Sequence, residues 1–173
     1  MRTAVPAVPQ YIIWRDERKI SNRNTPPTTQ TQTQIAHKKY NTRNMKFITT
    51  NFVKCAVKTC DSSVDAFPLQ YSDCQIVQEE LEYNPEFIVH MLERLEWNAV
   101  VKVARDLGNE SLPPVKPEGL DPIMEDDQVI LRDLHTLLVE TQIVEGKMVC
   151  RNCEHIYFIK NSIPNFLLPP HLC

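Results

Sequence analysis

Glycine is scarce in this sequence: three of 173 residues, at Gly108, Gly119 and Gly146. They lie too far apart to form G-x-G-x-x-G or a P-loop, the two glycine-rich loops that cradle phosphates. The sequence also lacks any apolar run approaching the roughly 18 residues that a membrane-spanning helix needs. These absences argue against the common nucleotide-binding enzymes and against a membrane protein. No Ser/His/Asp or paired-carboxylate arrangement stands out, so we predict no catalytic residue.

Charge divides the chain near residue 44. The net charge of −3 combines eight Lys and Arg against two acids in residues 1–44 with 11 against 20 in the remainder. The head is rich in Thr, Asn and Gln, and it has too few apolar side chains to offset the entropy of ordering. We therefore predict a disordered basic extension over residues 1–44. A dispensable extension, a mitochondrial presequence and a nucleic-acid-binding tail all fit this composition.

Strands are expected at both ends of the remaining chain. Residues 45–57 are rich in β-branched and aromatic side chains, which predicts a strand leading into Cys55, and residues 67–71 predict a second, short one. Gly146 is expected to turn the chain, and residues 155–160 predict a last strand. With helices between these strands, the fold class is α+β.

Helices are predicted in the middle of the chain. Asn84-Pro85 is a typical helix start, and a break near Glu96 divides the helical residues 81–107 in two, with Gly108 as the terminal cap. A third helix is predicted over residues 126–141, with acidic side chains at the positive end of its dipole.

Cysteine carries the clearest signal of chemistry. Cys55-x4-Cys60 and Cys150-x2-Cys153 are two close pairs with 89 residues between them. Two such pairs can surround one tetrahedral zinc ion, and four thiolates leave no open position for a reacting water, which indicates a structural zinc. Disulfides, an iron–sulfur site and a redox C-x-x-C are the alternatives; no secretory signal and no thioredoxin-like pattern supports the first or the last. Cys74 and Cys173 are expected to be ordinary thiols.

The end of the chain is apolar and rich in proline. Prolines at 164, 169 and 170 prevent a helix and favour an extended course. Phe166, Leu167, Leu168 and Leu172 either pack back over the body or form a patch for a partner, and the preceding strand could add to a partner's sheet. The periodicity of the sequence does not distinguish packing over the body from a patch for a partner.

Four segments, in this order, resemble the eukaryotic multifunctional methyltransferase subunit in its fungal form: Met45–Phe52, Cys150–Cys153, His155–Tyr157 and Ile163–Leu172. The resemblance covers about residues 45–173. It implies a zinc-ribbon-like small β-sheet domain formed by both chain ends, residues 45–80 and 142–173, with an inserted helical domain over residues 81–141.

The resemblance also implies a function. It indicates a non-catalytic activator that binds and stabilises several S-adenosylmethionine-dependent methyltransferases as heterodimers, with no S-adenosylmethionine of its own. The enzymes of that family modify tRNA, 18S rRNA and a translation release factor, so nucleic acid is contacted only through the partners, in the cytoplasm and the nucleus. The alternative is an RNA-binding zinc ribbon that uses the basic head, against which the acidic body argues.

Individual residues follow from the resemblance. Its structural zinc ligands are Cys55, Cys60, Cys150 and Cys153. Its partner-binding region corresponds to the side chains Ile156, Phe158, Ile159, Ile163, Pro164, Asn165, Phe166 and Leu167. Two positions depart from the family pattern: Glu154 stands where glycine often follows the last cysteine, and Asn161-Ser162 replaces a usual Asn-Gly turn. Neither removes a ligand, and both are expected to loosen the structure slightly.

Overall fold

The structure is a computed structural model that describes residues 44–172. The disordered extension predicted up to residue 44 therefore lies outside the described residues except for its last position, and Cys173 lies outside them too. The strands are β1 (Gln70–Gln78), β2 (Thr141–Val149), β3 (Ile156–Lys160) and β4 (Ile163–Pro164). The α-helices are α1 (Pro85–Arg94), α2 (Trp97–Asp106) and α3 (Glu125–His135). Short 3-10 turns cover Phe47–Phe52, Lys58–Cys60, Val64–Ala66 and Pro170–Leu172, and a π turn covers Thr136–Glu140.

The four strands form one antiparallel sheet in the order β1-β2-β3-β4. All three α-helices lie in sequence between β1 and β2, so the two long strands bring together distant parts of the chain. Residue 46 adds a single bridge to Gln142 of β2. The predicted α+β class, with a small sheet built from both ends of the chain, is confirmed.

The strand predicted over residues 45–57 is wrong. Phe47–Phe52 is instead a 3-10 helix, which buries Phe47, Thr50 and Asn51 on one side. The side-chain amide of Asn51 hydrogen-bonds the backbone of Glu96, a contact 45 residues away that no local propensity encodes. Tertiary contacts thus override the β-branched composition.

The prediction around β1 and β2 is also corrected. β1 begins at Gln70 and continues to Gln78, well past the predicted end at residue 71, and Gly146 lies inside β2 instead of turning the chain. The reason for Gly146 is packing across the sheet. A Cβ atom at this position would lie 2.5 Å from Cys74 Sγ and 3.1 Å from Cys74 Cα, so only glycine lets the strands approach here.

The three predicted helices are present, although the first begins at Pro85 and not at residue 81. The Asn84 side chain accepts a hydrogen bond from the Phe87 N–H at 2.9 Å, and Pro85 occupies the first helical position. After α2, Gly108 adopts φ +86°, as the predicted cap requires. α3 starts one residue earlier than predicted and ends in the π turn instead of continuing as α-helix to residue 141.

The core lies between the helices and one face of the sheet. It consists of apolar side chains of every long element, fully buried at Val100, Leu131, Leu138, Ile143, Met148 and Ile159. Over the described range, none of the helices has both the length and the apolar character needed to cross a bilayer.

Candidate functional site

The two cysteine pairs meet at one point of the structure. The sulfur atoms of Cys55, Cys60, Cys150 and Cys153 all lie within 4.8 Å of one another. Sγ of Cys55 is 3.7 Å from that of Cys153, and Sγ of Cys60 is 4.0 Å from that of Cys150. The first three side chains of this cysteine centre are buried and the fourth is half-buried. The four residues that the sequence singled out are brought together.

Two tight turns hold the cysteines in place. Cys60 ends the turn Lys58–Cys60, where its N–H donates to the Val57 carbonyl at 2.9 Å. Cys150 follows β2 directly, and the N–H of Glu154 donates to its carbonyl at 3.0 Å. Glu154 has φ +59°, so the position where glycine was expected does adopt the left-handed conformation.

Polar groups surround the sulfurs. The Tyr157 hydroxyl oxygen lies 3.2 Å from Cys55 Sγ. The Asn152 side chain donates to Cys60 Sγ at 3.2 Å, and its backbone N–H donates to Cys150 Sγ at 3.4 Å. Sequence reasoning missed both residues: Asn152 is visible only as a residue between two cysteines, and Tyr157 has no spacing signal.

The surroundings change the acidity of each thiol differently. The hydrogen bond from Asn152 lowers the pKa of Cys60 below its ordinary value. Burial raises the pKa of Cys55, against the opposing hydrogen bond from Tyr157, and burial raises the pKa of Cys153 to about 12. A cation bound by all four must therefore displace protons from some of the sulfurs.

The geometry of the cysteine centre fits a metal ion. Tetrahedral coordination with Zn–S bonds of about 2.3 Å places the sulfurs about 3.8 Å apart, close to the 3.7 and 4.0 Å found. Disulfide sulfurs would lie about 2.05 Å apart, so no pair is bonded. Four soft sulfur donors are typical of zinc or an iron–sulfur group. Two cations next to the cysteines in sequence form ion pairs with carboxylates, Lys54 with Asp61 at 3.2 Å and Arg151 with Asp106 at 3.0 Å.

Beside the cysteine centre, strand β3 alternates between inside and outside. Tyr157 and Ile159 face the core and are buried, whereas Ile156 and Phe158 are exposed. Ile159, which the resemblance places in the partner-binding region, thus supports this surface from beneath and cannot present its side chain to another protein.

The segment after β3 continues the alternation. Asn161 and Ser162 both adopt positive φ, +51° and +61°, and form the two-residue turn between β3 and β4. Exposed and half-buried side chains then alternate: Ile163, Asn165 and Leu167 are exposed, and Pro164, Phe166 and Leu168 are half-buried. The alternative in which the segment packs back over the body thus applies to half of its side chains, and the other half remains exposed.

Four of the exposed large apolar side chains lie on the last two strands of the sheet or a few residues beyond them. We call Ile156, Phe158, Ile163 and Leu167 the apolar edge, since they lie on β3, on β4 and just beyond. In the described part of the chain, β4 is the last strand of the sheet. An outermost strand can pair with a strand from another protein, which would then cover the exposed apolar side chains.

Comparison with known proteins gives consistent matches. The family model described as Trm112p-like protein matches residues 46–162. The chain is 59% identical to the multifunctional methyltransferase subunit TRM112 of Saccharomyces cerevisiae over 134 residues, which cover 74% of this chain and 99% of that protein. It is 48% identical to the protein of the same name from Schizosaccharomyces pombe (72% and 96% covered) and 43% identical to that from Neurospora crassa (74% and 99% covered).

Proposed function

The chain belongs to the Trm112p-like protein family, and on that premise we propose that it is a non-catalytic, zinc-binding subunit that binds, stabilises and activates S-adenosylmethionine-dependent methyltransferases. The observation that carries the proposal is the apolar edge beside the cysteine centre. Relatives from three fungi are named as subunits of methyltransferases, and they are similar to this chain along almost their whole length.

Zinc in this proposal is a structural ion. Cys55, Cys60, Cys150 and Cys153 would hold it, and when bound it supplies four bonds to sulfur and leaves no position for a substrate. The turns that carry the cysteines fix the end of β2 and the start of β3. The exposed side chains of β3 therefore have a defined position.

Partner binding uses the outer strand and its apolar side chains. The methyltransferase covers Ile156, Phe158, Ile163 and Leu167 and aligns a strand with β4, so each partner forms a heterodimer. Burying apolar surface stabilises by about 25 cal/mol per Å², so an interface of the usual size supports a lasting complex. The enzyme is kept soluble because its own apolar surface is covered.

The proposal extends to the substrates of the partners and to the layout of the chain. We assign the partners to methylation of tRNA, 18S rRNA and a translation release factor, in the cytoplasm and the nucleus where these molecules occur. Residues 45–80 and 142–173 are proposed as the zinc-ribbon-like domain, and residues 81–141 as the inserted helical domain. The charge is consistent with indirect contact to RNA, because the chain after residue 44 carries 20 acids against 11 basic residues.

Co-expression tests the proposal. The chain is produced together with each S-adenosylmethionine-dependent methyltransferase of its own organism, and the soluble yield and the activity of the enzyme on tRNA, 18S rRNA or release factor are measured. We expect several enzymes to become more soluble and more active. If none does, the proposal is wrong.

A pair of variants identifies the surface. Leu167→Glu places a charge on the apolar edge, at a side chain that is 86% exposed, whereas Ile123→Glu makes the same change at an 88% exposed side chain before α3. Leu167→Glu is expected to abolish co-purification and Ile123→Glu to leave it intact. Equal effects of the two would contradict the assignment of the edge.

A further inference from the structure

Tyr157 contacts the cysteine centre with its hydroxyl group and the segment after β4 with its ring. Its hydroxyl oxygen lies 3.2 Å from Cys55 Sγ and accepts from the Ala56 N–H at 2.9 Å. Its ring packs against that of Phe166, with 4.9 Å between the ring centroids. The whole side chain is buried, 1% exposed, so neither contact is shared with solvent.

The direction of the hydroxyl hydrogen bond follows from its partners. The Ala56 N–H can only donate, so the phenol oxygen accepts there and its own proton remains available. A thiolate bound to a metal has no proton and can only accept. With the metal in place, the Tyr157 O–H therefore points at Cys55 Sγ and stabilises the charged sulfur.

The same residue sits in the middle of the partner-facing strand. Its neighbours Ile156 and Phe158 point outward, while Tyr157 points inward and pairs in register with Met148 of β2. Phe166, on the other side of the ring, lies next to Leu167 in the exposed segment. The Tyr157 ring thus lies between two exposed side chains of β3 in sequence and contacts the segment that carries Leu167.

We propose that Tyr157 is a positioning residue that couples metal binding to partner binding: its hydroxyl stabilises the metal-bound Cys55 sulfur, and its ring holds β3 and the Phe166 segment in the conformation that presents the apolar edge. The inference rests on the proposed function and deepens it, because it makes the methyltransferase surface dependent on zinc occupancy. Loss of zinc, by chelation or by oxidation of the sulfurs, then loosens the surface from within.

Two tyrosine variants test the hydrogen bond. Tyr157→Phe removes the hydroxyl and keeps the ring, while Tyr71→Phe removes another buried hydroxyl that has no hydrogen-bond partner among the described residues. Zinc release from the full chain to a coloured chelator is expected to be about tenfold faster for Tyr157→Phe and unchanged for Tyr71→Phe. Equal release from the two variants would overturn the positioning role.

A cobalt-substituted protein reports on the sulfur itself. A hydrogen bond lowers the energy of the sulfur electrons, so its loss shifts the sulfur-to-cobalt charge-transfer band to longer wavelength. We expect this shift in Tyr157→Phe and not in Tyr71→Phe. A general loosening of the fold would not move the band in one variant alone, and an unchanged band in Tyr157→Phe would contradict the O–H···S contact.

Hydrogen exchange tests the coupling. In the wild-type chain, removing zinc is expected to raise amide exchange in residues 156–168 more than in α3, and zinc-loaded Tyr157→Phe is expected to lie between the two states. An equal rise in α3, or none in 156–168, would overturn the coupling. Co-purification of the zinc-loaded wild type with a methyltransferase is measured in parallel. If the protein binds a methyltransferase but the exchange data show no coupling, only the role of Tyr157 is wrong. If it binds no methyltransferase, the proposed function itself is contradicted.

Discussion

The side-chain amide of Asn51 bonds to both backbone groups of Glu96. Nδ2 donates to the Glu96 carbonyl at 3.1 Å, and Oδ1 accepts from the Glu96 N–H at 2.9 Å. Glu96 is the N-cap residue of α2 and has no side-chain cap hydrogen bond of its own. The 3-10 helix near the beginning of the described chain is thereby fixed to the start of a helix 45 residues away.

Asn51→Ala is expected to lower the free energy of unfolding by about 2 kcal/mol, because the partly buried Glu96 N–H loses its hydrogen-bond partner, while the Glu96 carbonyl still accepts from the N–H groups of Ala99 and Val100. Urea unfolding measures it as a lower midpoint with an unchanged slope. Asn98→Ala, on the exposed side of α2, is the control and should change stability by less than about 0.7 kcal/mol. Similar losses in both variants would argue against the Asn51 contact.

Serine substitutions are expected to separate the cysteine centre from the remaining thiols. Cys60→Ser should reduce bound zinc from one ion per chain to almost none, since one of four sulfurs is lost. Cys74→Ser should keep it, because the Cys74 sulfur donates to the Ser72 carbonyl and lies outside the centre. Metal analysis of the purified proteins decides this, and retained zinc in Cys60→Ser would exclude the four-sulfur site.

Gly146→Ala is expected to destabilise the sheet by about 2 kcal/mol, since the new Cβ would meet Cys74 Sγ at 2.5 Å. Adding Cys74→Ala should recover part of the loss, because the sulfur is gone while the 3.1 Å approach to Cys74 Cα remains. A double-mutant cycle by urea unfolding measures the coupling, and strictly additive losses would contradict this close contact.

Glu154→Gly is expected to stabilise the protein by about 1 kcal/mol, because the left-handed conformation at φ +59° is strained for glutamate and not for glycine. Ser162→Gly, at φ +61°, should act in the same direction. Glycine also increases the conformational freedom of the unfolded chain, which lowers stability. Glu110→Gly, outside the helices and strands, is the control for this effect and should not stabilise the protein. Thermal unfolding of the zinc-loaded proteins measures the difference.

Asp73 gives a pH dependence of defined sign. The hydrogen bond and charge of Lys147 hold the pKa of Asp73 below its ordinary value. The pair therefore stabilises the fold above the unfolded carboxyl pKa of about 4, and the contribution disappears as pH falls through the lower folded value. Unfolding midpoints of wild type and Asp73→Asn should differ slightly at pH 6 and converge in acid. High salt should reduce the difference, since both groups are substantially exposed.

The sequence predicted the parts of this fold that depend on near neighbours. Asn84-Pro85 and Gly108 mark helix ends by local backbone chemistry, and two closely spaced cysteine pairs indicate a shared ligand site wherever the chain brings them together. The 3-10 helix around Asn51 was missed because its stabilising contact lies at Glu96. In the sequence Gly146 resembles a turn residue, because the contact that requires glycine there is with Cys74, on another strand.

The candidate site shows the same limit. The four ligand positions followed from spacing, and the partner-binding strand followed from the family resemblance. Which side chains of that strand face outward required the sheet, since Ile159 and Phe158 differ by one residue and lie on opposite faces. Tyr157 near Cys55 is a contact between residues 102 positions apart and has no pattern in the sequence.

The 89 residues between Cys60 and Cys150 set an order of events during synthesis on the ribosome. A nascent chain that has reached only α3 offers two of the four sulfurs and one of the four strands, so neither the cysteine centre nor the sheet can close. The helices, by contrast, are complete before β2 is translated. A chain that ends before Cys153 therefore remains open and exposed to proteases. Only a fully synthesised chain can assemble the cysteine centre.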